Sequence, residues 1–459
     1  MSCTRWFLLA PLAACSSLAE TVPARLPATG TPTEAPASPP DGAGFRGGMS
    51  SREALEAFDA VWQTVNDCHF DPTFNGVDWV AVRDEFRPRA EAARSRDELR
   101  AVIDETLGRL GQSHFVLLPA EALADEEAAS PGHDLGTFGF DVRLRDGSAL
   151  VSTVDPAGPA ARGGVRPGWV LERIGDFAVD ETPSVESGEP RRVALVLRQS
   201  MQARIRGRVG SREEVLFRDG EDREVVLELE RSKLDAVAHD FGTTLPTFQL
   251  EFQSETIERD GKRIGRIHFT NWFVPMLEPI HSAIDQMRTH AGIVIDLRGN
   301  TGGVGGMVMG VAGNFFTEMT ELGVTHMREG TLRFVAVPRK TDLSGQLVAP
   351  FAGLVAILID ETTASSSEVF AGGMQSVDRA RVFGEVSVGA VLPATTTPLP
   401  NGDVVLHALG DFKTAQGTSL EGRGVIPDEI VPLTREDLLA GRDPQLEAAV
   451  VWIAAHGHP

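Results

Sequence analysis

The sequence predicts a multidomain α/β protein, mixed α/β and α+β, with a helical N-terminal region, a middle domain and an α/β core whose central strands are largely parallel. Three observations predict it. Between Ser50 and about Ala124 apolar residues recur at helical spacing, as in Ala54, Phe58, Val61, Trp62 and Val65, and again in Leu99, Val102, Ile103 and Leu107. From about Leu245 to Glu436, strands such as Arg266 to Phe269, Ile293 to Leu297 and Val355 to Ile359 alternate with helical stretches near Glu278 to Thr289 and Glu368 to Gln375. The length, 459 residues, leaves room for two or three domains.

The elements follow in chain order. Met1 to Trp6 carries one positive charge and precedes the short apolar stretch Phe7 to Ala14, which ends in Leu12-Ala13-Ala14-Cys15. That arrangement reads as a secretory signal over residues 1–15. A cysteine at its end resembles the bacterial lipobox, which implies cleavage before Cys15 and lipidation of Cys15; a plain signal cut after Ala14 or Ala19 is the alternative. The expected location is therefore the cell envelope or periplasm, with membrane contact through a lipid anchor alone. Residues 16–48 are rich in Pro, Ala, Thr, Ser and Gly and read as a disordered tether. No other segment is long and apolar enough to span a bilayer. With Cys3 and Cys15 assigned to the signal region, Cys68 is the only thiol of the body and no intrachain disulfide is expected there.

Residues 49–130 form the helical region, with Trp62, Phe70 and Trp79 as core, and carry Ser113 and His114 near its end. Residues 134–231 resemble a PDZ domain. Gly136-Thr137-Phe138-Gly139-Phe140 matches that domain's glycine loop, and Pro156 to Val165 followed by Arg166-Pro167-Gly168-Trp169-Val170-Leu171 matches its helix, turn and strand. The resemblance implies peptide binding at Gly136, Phe138, Gly139 and Phe140, with the peptide added as an edge strand. The α/β core occupies residues 240–459 and closes on a helix from Asp443 to Ala455. No repeat of solenoid period is present.

Forty-three basic and 65 acidic residues give a net charge of −22, which excludes a nucleic-acid backbone as partner and disfavours docking on anionic lipid. Most of these charges read as a solubilising surface.

The chemistry concentrates at Asp360-Glu361-Thr362-Thr363-Ala364-Ser365-Ser366-Ser367-Glu368-Val369-Phe370-Ala371-Gly372, between a buried strand and the start of a helix. A serine at such a turn projects its oxygen into a cleft while the first helical amides point at developing negative charge. This segment resembles the active-site signature of the tail-specific, or carboxyl-terminal-processing, serine peptidase superfamily, which implies Ser365 as nucleophile, with Ser366 and Ser367 as alternative registers. A serine hydroxyl needs a base. The processing branch uses a lysine, but Ala390 occupies the matching position in Gly384 to Ala390. Leu107-Gly108-Arg109-Leu110-Gly111-Gln112-Ser113-His114 and Leu420-Glu421-Gly422-Arg423-Gly424 match instead the tricorn-core-like branch, which implies a relay from Ser365 through His114 and Ser113 to Glu421. Gly292 to Gly303 resembles the family's oxyanion segment, implying donors from the amides of Gly303 or Gly302 and of Ser366. A phosphate loop is disfavoured, because no lysine follows the glycines between Gly299 and Gly306. Asp296, Arg298 and Asn300 read as loop-bracing residues.

The resemblance covers Ser50 to Glu436. It implies a helical cap, an inserted PDZ domain, a crotonase-like (ClpP-like) core, and an exported peptidase that needs no metal or other cofactor and acts on a polypeptide, possibly at its C-terminus. A noncatalytic binding or scaffold protein on the same fold, as among retinoid-binding relatives, is the alternative. A lysine-dependent enzyme using Lys413 or Lys340 is a third reading, though neither lies in the lysine motif.

Overall fold

The computed structural model describes residues 49–120, 135–145, 147–179, 190–239 and 248–458. The signal, the tether and Cys15 lie outside the described residues.

Three helices open the described chain: α1 (Ser51–Cys68), α2 (Trp79–Ala92) and α3 (Arg96–Gly108). Ser50, Asp78 and Ser95 cap them, each accepting a backbone N–H in the first turn. Their apolar stripes share one core in which Phe58, Val61, Phe86, Leu99 and Ile103 meet Leu392, Leu399 and Val405. The helical region is thus pinned to the rest of the molecule. Helix ends at Gly108, short of the expected limit near residue 124, and β1 (Val116–Leu118) follows. Cys68 is disulfide-bonded, which corrects the expectation that no disulfide forms there.

The middle segment contains β2 (Phe140–Arg145), β3 (Ser148–Val154), β4 (Val170–Ile174), α4 (Pro190–Ile205), β5 (Arg212–Arg218) and β6 (Glu224–Glu230). The strands form an antiparallel sheet in the order β2-β3-β4-β5-β6, with β2 at the edge. Its separate core gathers Phe138, Phe140, Val151, Val215 and Phe217 beside Met201 and Ile205 of α4.

The core begins with β7 (Phe252–Arg259), β8 (Lys262–Phe269), α5 (Leu277–Gln286), β9 (Gly292–Asp296) and α6 (Gly305–Ala312), then the hairpin β10 (Thr320–Met327) and β11 (Gly330–Ala336). It continues with β12 (Leu354–Ile359), α7 (Ser366–Ser376), β13 (Arg381–Gly384), β14 (Ala394–Pro398), β15 (Val404–Ala408), β16 (Gly410–Thr414), β17 (Glu429–Ile430) and α8 (Pro444–His456). The central sheet runs β7-β8-β9-β12-β13-β17, parallel except for the antiparallel β7-β8 pair. Strand period explains the apolar stretch Gly292 to Ile295, which continues past Asp296 to Leu297. Ile293 and Ile295 face α5, α6 and α7 in one core, whereas Val294 faces Val450 and Ile453 of α8 in another. Both faces are covered. Beside the sheet, β10, β11 and β16 form a second, antiparallel sheet that the sequence did not announce.

Candidate active site

β12 ends at Ile359, and Asp360 organises the turn that follows. Its Oδ1 accepts the amides of Gly299 (3.1 Å) and Thr362 (3.0 Å), and the Thr363 hydroxyl donates to Leu297 O at 2.9 Å. Ser365, at the head of α7, has φ 55° and ψ −122°. A serine occupies that left-handed region only where its surroundings dictate it. Here the Ser365 amide donates to Ala390 O at 2.9 Å and to Glu368 Oε2 at 3.0 Å, and the Ala364 amide donates to Asn300 O at 3.1 Å. The three adjacent serines are chemically distinct. Ser366 Oγ donates to Gly303 O at 2.9 Å, and Ser367 Oγ accepts from buried Trp272 Nε1 at 2.8 Å. Ser365 Oγ faces the Glu368 amide at the N-cap of α7 and donates to no side chain among the described residues, which sets it apart from Ser366 and Ser367.

The glycine loop lies against this turn. Gly302 has φ 99° and Gly303 φ 144°, and a Cβ would lie 2.6 Å from Ser365 Cβ at the first and 2.5 Å from Trp272 O at the second. Only glycine fits at either place. Asn300 braces the loop by donating to Phe269 O at 2.8 Å and accepting the Gly302 amide at 3.0 Å. That last bond corrects one expectation: the Gly302 amide is committed and is not an oxyanion donor. The amides of Gly303 and Ser366 have no acceptor among the described residues.

On the other side stand Ser113, His114 and Glu421. Ser113 Oγ lies 2.7 Å from His114 Nδ1 and donates to Glu421 Oε2 at 2.9 Å, while the Ser113 amide donates to Glu421 Oε1 at 2.7 Å. A carboxylate only accepts, so the Ser113 hydroxyl proton points to Glu421 and its oxygen accepts from His114 Nδ1–H. The Nε2 lone pair is thereby left to accept a proton. Burial, reinforced by the Arg192 charge, lowers the His114 pKa to about 4, so the resting imidazole is neutral at pH 7.

One short segment joins the two halves. Ala390 O takes the Ser365 amide, and the N–H of the same peptide group, that of Val391, donates to Glu421 Oε2 at 3.1 Å. No hydrogen bond links Ser365 Oγ to the His114 ring among the described residues; such bonds are often long before substrate binds. Glu368 fixes the segment from beneath. Its Oε1 accepts from Ser387 Oγ (2.5 Å) and Gly389 N (2.7 Å), and its Oε2 from Ala390 N (2.9 Å) as well as Ser365 N. Burial pushes this carboxyl up to about 7, against four donors that favour the anion. Ala390, at the lysine position of the processing branch, packs with Ala364, Val388 and Leu195. Lys413 pairs with Asp411 at 3.9 Å on its own strand.

The glycine-loop residues of the middle segment lie in that segment's own core. Phe138 is fully buried beneath the Arg231 guanidinium, 4.2 Å from its ring centre, and Phe140 packs beside it. The Phe138 amide donates to Ile205 O at 3.4 Å, the Gly139 amide to Thr137 Oγ1 at 3.1 Å, and Gly136 is paired within a small sheet. The carboxylate-holding role expected of this loop therefore has no free donor at Phe138 or Gly139. The edge of β2 is likewise engaged, because Arg198 of α4 donates to Val142 O at 3.3 Å, Asp141 Oδ2 at 2.7 Å and Gly299 O at 3.1 Å. Sequence reasoning missed the Glu368 clamp and the α4 arginines. The first left a faint signal in the signature itself, and the second left none.

Residues 263–431 match peptidase family S41, and residues 50–108 match the tricorn protease C1 domain. The first match includes Gly303, Ser365 and Glu421; the second covers α1 to α3 and stops before Ser113. A carboxyl-terminal-processing protease of Picosynechococcus is 24% identical over 375 residues, 81% of this chain and 82% of that protein. Putative tricorn protease homolog 2 of Streptomyces coelicolor is 26% identical over 430 residues, 87% of this chain but 32% of that longer protein. Among solved structures, the photosystem II D1 C-terminal processing protease has a similar fold, with TM-score 0.56 and 22% identity over 88% of this chain and 98% of that one. Mature CPAF complexed with lactacystin gives TM-score 0.56 at 12% identity over the same shares. Residues 263–431 therefore carry a peptidase family S41 domain, with a tricorn protease C1 domain ahead of it at residues 50–108, and the chain is a serine-type peptidase.

Proposed function

We propose that this protein is an exported peptidase that cuts peptide bonds in protein tails or unfolded segments through an acyl-enzyme on Ser365, with His114 as general base. The observation that carries the reading is the Ser113 hydroxyl bridging His114 Nδ1 and Glu421 Oε2, which holds the imidazole in the tautomer able to take a proton. Ser365 Oγ attacks the carbonyl carbon as its proton passes to His114 Nε2. The oxyanion of the tetrahedral intermediate takes the N–H groups of Gly303 and Ser366. On collapse the C–N bond breaks and His114 gives its proton to the leaving amine. Water, deprotonated by the same imidazole, then hydrolyses the ester and frees the new C-terminus. No step calls for a metal or organic cofactor.

The preference for tails rests on the carboxyl-terminal-processing relatives, and export rests on the signal and tether of residues 1–48. We read the middle segment as a PDZ domain and Cys15 as the lipidated residue. Labelling of the mature protein with a fluorophosphonate, followed by mapping of the modified residue, tests the chemistry. Modification at Ser365 that is lost in His114→Ala supports it, and an unlabelled wild type that also leaves peptides uncut overturns it. For the anchor, Cys15→Ser should move the protein from the membrane to the soluble fraction.

A further inference from the structure

Glu421 is held by more than the relay serine. Its Oε2 accepts from Ser113 Oγ and Val391 N, and its Oε1 accepts from Ser113 N and, at 2.8 Å, from the guanidinium of Arg192. Arg192 belongs to α4 of the middle segment, 229 residues from Glu421 in the chain. Its guanidinium also reaches Gly389 O at 3.5 Å, and its buried Nε has no partner among the described residues. The helix that delivers it is seated on both sides of the cleft. Arg191 donates to Gly422 O (3.2 Å) and Arg423 O (3.1 Å), Leu195 packs against Ala364, and Arg198 donates to Gly299 O (3.1 Å).

We propose that Arg192 is a fifth member of the relay: a positioning residue, brought in from the middle segment, that holds Glu421 against Ser113 and sets a fixed positive charge beside His114. The inference rests on the reading of Ser365, His114, Ser113 and Glu421 as a relay. Charges then alternate outward from the ring, with Glu421 negative and Arg192 positive. Glu421 alone would stabilise the imidazolium strongly and leave it reluctant to protonate the leaving amine. Arg192 offsets part of that field, so the base stays neutral at rest and becomes a stronger acid once charged. Among the described residues, other charged groups lie on the segments that frame the relay. They are Arg423 on the Glu421 turn, Arg191 on α4, and Glu368 behind the amides of Gly389 and Ala390; residues 111–113 and 387–391 contribute none.

The test is the pH profile of kcat/KM and of fluorophosphonate labelling in Arg192→Gln and Arg192→Lys, with Arg191→Gln as the control from the same helix. Removing the charge raises the affinity of His114 for its proton, so the acid limb of Arg192→Gln should move to higher pH by about one unit. Its kcat should fall roughly tenfold or more with KM held, as when a partner behind a primary group is lost. Arg192→Lys should lie between Arg192→Gln and the wild type, and Arg191→Gln should keep the wild-type limb. A purely structural role would not shift the limb, so a folded Arg192→Gln whose profile superposes on the wild type overturns the proposal. If Arg192→Gln does not fold, Arg192→Met decides, since a wild-type limb and kcat in that uncharged variant overturn the proposal equally. Failure of the underlying relay is seen separately, as absence of Ser365 labelling in the wild type.

Discussion

The two sides of the catalytic cleft are built differently. The proposed nucleophile and oxyanion donors come from one compact unit, in which two adjacent parallel strands, β9 and β12, end in the glycine loop and the Ser365 turn. Within it, Ser366 Oγ, the Ala364 amide and Thr363 tie the two turns together over a few residues. The base side has no such unit. His114 comes from the end of the helical region, Glu421 from a turn after β16, and Arg192 from the middle segment. The first side is rigid because its backbone groups are sheet ends packed against apolar helices. The second is a convergence of three segments, held by one carboxylate that accepts four hydrogen bonds.

That contrast predicts where each side breaks. The largest effect belongs to Ser365→Ala, which should lower kcat by roughly 10⁴ to 10⁶ while leaving thermal unfolding unchanged. Progress curves and calorimetry on the same sample check it. Next comes Glu421→Gln. A carboxamide can donate to Ser113 Oγ, turning the serine proton toward His114 Nδ1 and forcing the proton of the ring onto Nε2. The base is then in the wrong tautomer, and kcat should fall about 10³ to 10⁴-fold with KM little altered. A loss under tenfold would mean that Glu421 does not govern the tautomer. On the nucleophile side, Gly303→Ala would drive a Cβ to 2.5 Å from Trp272 O and turn the donor amide away. The expected loss is about 10² to 10³ in kcat. Gly306→Ala is the control, since nothing lies within 4 Å of a Cβ there.

The resting pH profile separates the two sides further. Because burial and Arg192 lower the His114 pKa to about 4, initial rates should hold as pH falls through 6.5 and decline only near pH 4. A limb near 6.5 would mean that the ring is more hydrated than its packing indicates.

This division also marks what was legible in the sequence. The compact unit writes itself into contiguous residues: an apolar strand, a turn and a helix start at Leu354 to Gln375, and a strand with its glycines at Gly292 to Gly303. Pattern and chemistry coincide there. Ser113, His114 and Glu421 were reachable only because short segments matched a relative, since nothing local to Leu420-Glu421-Gly422 marks a buried acceptor. Arg192 was unreachable. It is one arginine on a helix with several, and only docking of the middle segment gives it a partner. The committed Gly302 amide was equally hidden, because which glycine N–H stays free depends on where the Asn300 side chain turns. The second antiparallel sheet escaped for a plainer reason: β10 and β11 are exposed along part of their length and carry no continuous apolar run.

The smallest expected effect lies where the two sides are joined. Glu368, buried beneath residues 387–390, has its carboxyl raised from 4.5 to about 7 by desolvation. The folded protein therefore binds a proton at this group between pH 4.5 and 7 that the unfolded chain releases. Its stabilising contribution is full below pH 4.5 and is lost as pH rises through 7, by at most about 3 kcal/mol. His114 and His407 act in the opposite sense. Both have pKa values lowered to about 4, so their contribution is full above pH 6.5 and lost as pH falls toward 4. Total stability thus conceals the glutamate, and only a difference exposes it. Glu368→Gln keeps the volume, loses acceptors for two of the four donors and should be destabilised throughout by about 1 to 3 kcal/mol. The diagnostic is the slope: wild type minus Glu368→Gln, from denaturant unfolding at several pH values, should shrink between pH 4.5 and 7. A constant difference would mean that Glu368 is ionised throughout, with its four donors outweighing burial, and that the clamp joining nucleophile and relay is insensitive to pH.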